Sequence, residues 1–280
     1  MTTLGFAVLS GLGVLLTGNL PWAAMSALNL RMIPAVPWAI VPMSLYLWVY
    51  WSYIGGRSGS PATADMRRTR LRANPLSFGL WWRAIITGLF GFSALLALLM
   101  VMARLVTMPA SAPIVTPPDM PAITGFLMIV MSSCVAGITE EAAFRGYMQG
   151  PVERRYGLAP AILVNGTVFG LLHFPNHPDA VLTMLPYYLA VAAVYGGITW
   201  SCNSILPALV LHVGGDIWSL TRLWITGRPE WLLFTTPSPL VWNNGPDLAF
   251  FVSLAALVIF TMVTVTFCRS LRRSTLRYTF

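Results

Sequence analysis

Long apolar stretches dominate the chain, separated by short polar or proline-rich breaks. Runs of helix length occur at about Leu4–Leu30, Ile33–Ile54, Leu80–Met102, Ala122–Met148, Pro160–Phe174, Val181–Trp200, Ile205–Ile225 and Leu248–Cys268. About 20 apolar residues in helical conformation cross the hydrocarbon core of a bilayer. The pattern therefore predicts an all-α, polytopic membrane protein of about eight transmembrane helices. The fifth run is short and the first contains Pro21, which leaves seven or nine spans open. The strands of a membrane β-barrel would alternate apolar and polar positions; these continuous runs do not.

Composition agrees with the pattern. Of 280 residues, 56% are hydrophobic and 9% charged, and the mean hydropathy is +0.71; soluble domains carry about 25% charged residues. The net charge of +8 comes from seventeen basic residues, all arginine. A lysine-free, arginine-rich chain suggests a GC-rich genome, and with it a bacterial cytoplasmic membrane. Arginines cluster at Arg67, Arg68, Arg70 and Arg72 and again at Arg269, Arg272, Arg273 and Arg277, as positive-inside signals and contacts for anionic lipid. With eight spans, the loop Arg57–Asn74, the pair Arg154–Arg155 and the tail share one side. The loops Thr107–Pro121 and Thr226–Asp247 share the other, so both termini are expected in the cytoplasm. Gly55–Asn74 is the expected hinge between an N-terminal helix pair with its basic loop, residues 1–76, and the remaining helix bundle, residues 77–280, whose motif-bearing core is 122–224. Basic and aromatic residues are not interleaved as a nucleic-acid surface requires. Cys134, Cys202 and Cys268 have neither metal-ligand spacing nor a disulfide framework. With no basic region before it and no evident cleavage site, the first run is expected to be a membrane span and not a removed signal peptide. The oligomeric state leaves no trace in the pattern.

Against this background the stretch Thr139-Glu140-Glu141-Ala142-Ala143-Phe144-Arg145 is anomalous. A charged side chain near a bilayer centre costs roughly 2.5–3.5 kcal/mol on insertion scales. Other ionisable groups at membrane depth are few: His173 in Phe169-Gly170-Leu171-Leu172-His173, and His212 and Asp216 in Leu211-His212-Val213-Gly214-Gly215-Asp216. Residues four apart share a helix face, so His212 pairs with Asp216, Phe169 with His173, and Glu141 with Arg145. Glu140 is rotated about 100° from Glu141, which leaves Glu140 toward the other spans and Glu141 as a brace with Arg145. At ~1.5 Å per residue, Glu140, His173 and Asp216 lie ~17–21 Å from one end of their helices, a common level open to the cytoplasmic side.

A glutamate and a histidine around one water can remove its proton, and a second polar pair can stabilise the oxyanion that forms. Glu140, His173, His212 and Asp216 could instead hold a divalent metal such as zinc, which would acidify the water. No serine or cysteine is placed as a nucleophile, so a water-nucleophile hydrolase is the natural class.

Glu140-Glu141-xxx-Arg145, Phe169-xxx-His173 and His212-xxx-Asp216 resemble, in order and spacing, the signature of the CAAX protease and bacteriocin-processing family. That family includes the type II CAAX prenyl endopeptidases and is also called the Abi family of intramembrane metalloproteases. The resemblance covers about Ala122–Trp224. It implies a polytopic fold with a cavity reached from the cytoplasm, and hydrolysis of a peptide bond in a membrane-associated peptide or protein. By the same resemblance Glu140 activates water with His173 assisting, His212 and the residue four after it stabilise the oxyanion, and Glu141, Arg145 and Phe169 support the site. The last motif often ends in asparagine, whereas this chain has Asp216. An ionised carboxylate cannot donate to an oxyanion, so Asp216 must be protonated, orient His212, or bind a metal.

Two other classes compete: a proton-coupled transporter using the buried Glu, His and Asp as a relay, and a non-catalytic immunity-type membrane protein with the same fold. The absence of a visible internal repeat weighs against the first, and the filled motif positions against the second. Gly166 and Gly170 suggest close helix packing; Gly214 and Gly215 suggest packing or backbone access beside the site. His177, in a proline-flanked turn, is expected to have no role.

Overall fold

The computed structural model describes residues 2–110, 114, 116–173, 181–232 and 239–278. The described residues form helices and no strand: α1 (Thr3–Met32), α2 (Ile40–Ile54), α3 (Pro61–Leu71), α4 (Phe78–Leu105), α5 (Ala122–Glu140), a π-helical segment (Glu141–Met148), α6 (Gln149–Tyr156), α7 (Leu158–Leu172), α8 (Val181–Cys202), α9 (Leu206–Thr226), α10 (Val241–Asn244) and α11 (Leu248–Tyr278). Each predicted apolar run contains or overlaps one helix or, for the fourth, α5 and the π-helical segment; in the second run the helix starts only at Ile40. Five stretches are long and apolar enough to cross a bilayer: Thr3–Met32, Phe78–Leu105, Ala122–Tyr156, Leu182–Cys202 and Leu248–Leu276. Ile40–Ile54 and Leu158–Leu172 are shorter apolar helices. The protein is thus a polytopic helical membrane protein. Its outward faces carry large apolar side chains, such as Leu9, Leu16 and Leu20 on α1 and Val258, Ile259 and Met262 on α11, which lipid solvates and water would not. The turn containing His177 lies outside the described residues.

Small residues let the helices that build the site approach closely. On α1, a Cβ at Gly18 would lie 2.2 Å from the Thr139 side chain, and one at Gly11 would lie 3.1 Å from the Ala143 carbonyl. α1 therefore lies directly along the stretch that carries the glutamates. In α7, a Cβ at Gly166 would meet the Leu189 Cα at 2.9 Å and its Cδ2 at 2.8 Å, which fixes the approach of α7 to α8. Gly166→Ala should therefore lower stability by about 1–3 kcal/mol through overpacking. Denaturant titration in detergent micelles would measure this, and an unchanged midpoint would contradict the close approach.

The arginine-rich segment after α2 departs from expectation. In place of a continuous loop it carries α3, started by Pro61 at its first turn and ended by Arg72 in the left-handed region at φ 56°. A short polar helix has no apolar periodicity to announce it. Arg67 and Arg72 are buried and so do not contact lipid headgroups. Arg67 donates to the Ser58 carbonyl at 2.6 Å and to Thr63 Oγ1 at 2.6 Å, with its guanidinium over the Tyr53 ring. Arg72 pairs with Glu153 of α6 at 3.1 Å and donates to Asn203 Oδ1 at 3.2 Å. The α8–α9 corner is tied to the same segment: Ile205 N–H donates to the Arg72 carbonyl, Asn74 Nδ2 to the Asn203 carbonyl and Ser204 Oγ to the Asn74 carbonyl. Asn165 and Gln149, both buried, continue this polar seam by a 3.4 Å contact between α7 and α6. At the opposite end of α4, Arg104 grips both carboxylate oxygens of Asp247 at 2.9 and 3.0 Å, which fixes the start of α11. The three cysteines are free.

Candidate active site

The motif helix changes pitch where its acids begin. α5 ends at Glu140, and Glu141–Met148 is π-helical; the Gln149 N–H reaches back five residues to the Phe144 carbonyl. Single-turn π segments concentrate at functional sites because the widened turn re-aims side chains. All eight residues of this segment are buried. It is anchored on two sides: Tyr147 Oη donates to the Ile54 carbonyl at 2.7 Å, and a Cβ at Gly146 would stand 3.0 Å from the Arg70 carbonyl.

The two adjacent glutamates have different surroundings. Glu141 is sealed, with 0% of its side chain exposed. One of its oxygens, Oε1, lies 3.0 Å from Arg145 Nη1 and 2.8 Å from His212 Nδ1. The Arg145 nitrogens have no aligned hydrogen-bond acceptor among the described residues, so its contact with Glu141 is an ion contact. Aromatic faces complete its surroundings: the guanidinium carbon is 5.0 Å from the Tyr195 ring centre and 5.8 Å from that of Phe169. Cation–π contact of this kind gains strength when desolvated. Glu140 retains 20% side-chain exposure and lines a cavity of about 680 Å³.

His173, His212, Asp216 and Phe169 line the same cavity. His173 ends α7, and its Nδ1 lies 2.8 Å from the Phe169 carbonyl. A carbonyl only accepts, so Nδ1 carries hydrogen and the neutral ring keeps its lone pair on Nε2. The ring is held by Tyr188, stacked at 4.7 Å, and by Phe169, edge-on at 4.6 Å. Phe169 thus holds the histidine by both its backbone and its ring. His212 donates from Nδ1 to Glu141, and its Nε2 stands 3.7 Å from Glu140 Oε2 and 3.5 Å from Asp216 Oδ2. Both are too long for a direct hydrogen bond, and one bridging water spans such gaps.

The four polar residues therefore surround one space. The sequence spacing captured the Glu141–Arg145 and His212–Asp216 pairs. It missed that His212 hydrogen-bonds Glu141, because the contact bridges α9 and the π segment across 71 positions. It also missed the far wall. Arg222 donates to the carbonyls of Arg228, Pro229 and Leu232, folding the chain back after α9. Glu230 and Trp231 thereby line the cavity, and Glu230 accepts from Ser219 Oγ at 2.7 Å. Only the acidic residue beside a tryptophan in that loop could have signalled this. Gly214 and Gly215 also line the cavity. A Cβ at Gly214 would meet open space, while one at Gly215 would meet Phe92 at 3.1 Å.

Among the described residues no group of three or more His, Cys, Asp or Glu is placed to hold an ion. Each site histidine has Nδ1 engaged, by the Phe169 carbonyl or by Glu141, which leaves Nε2 for a ligand or a water.

Residues 122–218 match the family model described as type II CAAX prenyl endopeptidase Rce1-like. Comparison with curated proteins and with solved structures gives no match.

Proposed function

We propose, on the premise that residues 122–218 form an Rce1-like type II CAAX prenyl endopeptidase domain, that the protein is an intramembrane endopeptidase using a water nucleophile. The observation that carries this reading is the meeting of Glu140, His173, His212 and Asp216 on one cavity inside an otherwise apolar helical bundle. Buried ionisable groups in a membrane protein are costly and mark function. A cavity lined chiefly by apolar and aromatic side chains with a few converging polar groups is the usual form of a binding site.

In the proposed mechanism, Glu140 accepts a proton from water while Nε2 of His173 accepts the other water hydrogen bond and aims the lone pair at the substrate carbonyl. The new C–O bond forms as the carbonyl π pair moves to oxygen, giving a tetrahedral oxyanion. Glu141 holds His212 by Nδ1, with Arg145 balancing the Glu141 charge. The oxyanion collapses, the C–N bond breaks, and the proton held by Glu140 passes to the leaving nitrogen. The products are a carboxylic acid, whose remaining water proton then passes to the released amine, and so a carboxylate and an ammonium group. Substrates are membrane-associated peptides, with a prenylated CAAX terminus as the first candidate from the family description.

The test is cleavage of internally quenched peptides by protein reconstituted in liposomes, with a farnesylated CAAX peptide and its unprenylated counterpart as the two arms. Release of a C-terminal fragment from either supports proteolysis, and the ratio of the arms shows whether the prenyl group matters. Proton flux across the liposome without cleavage would replace the reading with a carrier.

A further inference from the structure

Asp216 creates a chemical gap at the proposed oxyanion, because an ionised carboxylate accepts hydrogen bonds and donates none. Tyr195 fills that gap. It belongs to α8, lines the cavity and is only 5% exposed. Its ring is fixed on three sides: stacked on His212 at 5.3 Å and 10°, edge-on to Phe92 at 6.0 Å, and beneath the Arg145 guanidinium at 5.0 Å. Its hydroxyl, in contrast, makes no hydrogen bond to any described residue, whereas the hydroxyls of Tyr46, Tyr50 and Tyr147 each donate to a carbonyl. Buried tyrosine hydroxyls usually find a partner. The Tyr195 oxygen stands 3.7 Å from the point a Cβ on Gly215 would occupy, beside the residue preceding Asp216. Glycine at 215 keeps a methyl group out of the space between the hydroxyl and the α9 backbone.

We propose that Tyr195 is a catalytic residue whose phenolic O–H donates to the oxyanion of the tetrahedral intermediate. The inference rests on the proteolytic reading. Water's oxygen adds to the carbonyl carbon, the π pair moves to the carbonyl oxygen, and the Tyr195 O–H, which keeps its proton throughout, donates to that oxygen until the C–N bond breaks. Asp216 faces Nε2 of His212 and orients the ring that Tyr195 stacks upon. A rigid donor aimed where charge develops is worth more in a water-poor site than in solvent.

Tyr195→Phe keeps the ring and removes only the donor. With the farnesylated quenched peptide, kcat should fall about 10²–10³-fold, the loss seen on removing one oxyanion donor, with KM little changed. A phosphinic peptide with its tetrahedral phosphorus at the scissile position should bind Tyr195→Phe more weakly by a similar factor. The uncleaved peptide should bind Glu140→Gln and the double variant Glu140→Gln/Tyr195→Phe equally. Wild-type turnover by Tyr195→Phe would overturn the proposal while leaving proteolysis intact. So would equal losses of peptide and phosphinate affinity with a lowered unfolding midpoint, the signature of a packing residue. Should wild type cleave neither arm, the proteolytic reading fails, and equal phosphinate affinity in wild type and Tyr195→Phe overturns the donor role as well.

Discussion

Glu140→Gln should lower kcat on the cleaved peptide by about 10²–10⁴-fold, the contribution of a positioned general base, while the protein stays folded. The amide has the same shape and reaches the same cavity, but it cannot take a proton from water. The side chain is one-fifth exposed and hydrogen-bonds to no described residue; Nε2 of His212 is 3.7 Å away. Its replacement therefore breaks no structural contact, and the unfolding midpoint should hold or rise, as is common where a strained functional residue is neutralised. His173→Ala gives a second check. If Glu140 and His173 serve one water, the double variant should be little slower than Glu140→Gln alone, since residues acting as a unit are strongly non-additive. Turnover at the wild-type rate in Glu140→Gln would remove Glu140 from the chemistry. Multiplying losses would show that the two residues act in separate steps.

The sequence carries the bundle and the motif helices because both rest on local rules. Apolar runs of helix length locate the long helices, and four-residue spacing places Glu141 with Arg145 and Phe169 with His173. Contacts between helices follow no such rule. Nothing near Glu141 indicates that His212, on α9, shares its carboxylate oxygen. The π turn is equally silent, since Ala142-Ala143-Phe144 suits an α-helix as well; its anchors, Tyr147 on the Ile54 carbonyl and Gly146 against α3, come from distant segments. α3 escaped because its residues are polar, and Arg67 and Arg72, which resemble lipid contacts in sequence, have internal partners. Tyr195 looks like ordinary packing in an apolar span; its stacking on His212 and the place of its hydroxyl beside Gly215 emerge only from the fold.

Arg145→Met should destabilise the protein by about 3–5 kcal/mol, the cost of removing one partner from a buried ion pair. Arg145 is 1% and Glu141 0% exposed, so the orphaned carboxylate gains no water to replace the guanidinium. His212 still donates to it at 2.8 Å, which places the loss toward the lower end of that range. The double variant Glu141→Gln/Arg145→Met removes both charges and retains the volume, so stability should largely return, as it does when a buried pair is replaced by neutral groups of similar size. Activity should not return with it. The substituted amide would offer His212 Nδ1 a neutral acceptor in place of a carboxylate, and charge-assisted hydrogen bonds are roughly twice as strong as neutral ones. The guanidinium would also be absent from the face of the Tyr195 ring. Denaturant titrations and kcat on wild type, the two single variants and the double variant form one double-variant cycle. Recovered stability with depressed kcat identifies Glu141 and Arg145 as positioning residues that act through His212. Recovery of both would reduce the pair to a structural lock between the motif helix and its neighbours, and His212 would then need no ionised partner to do its work.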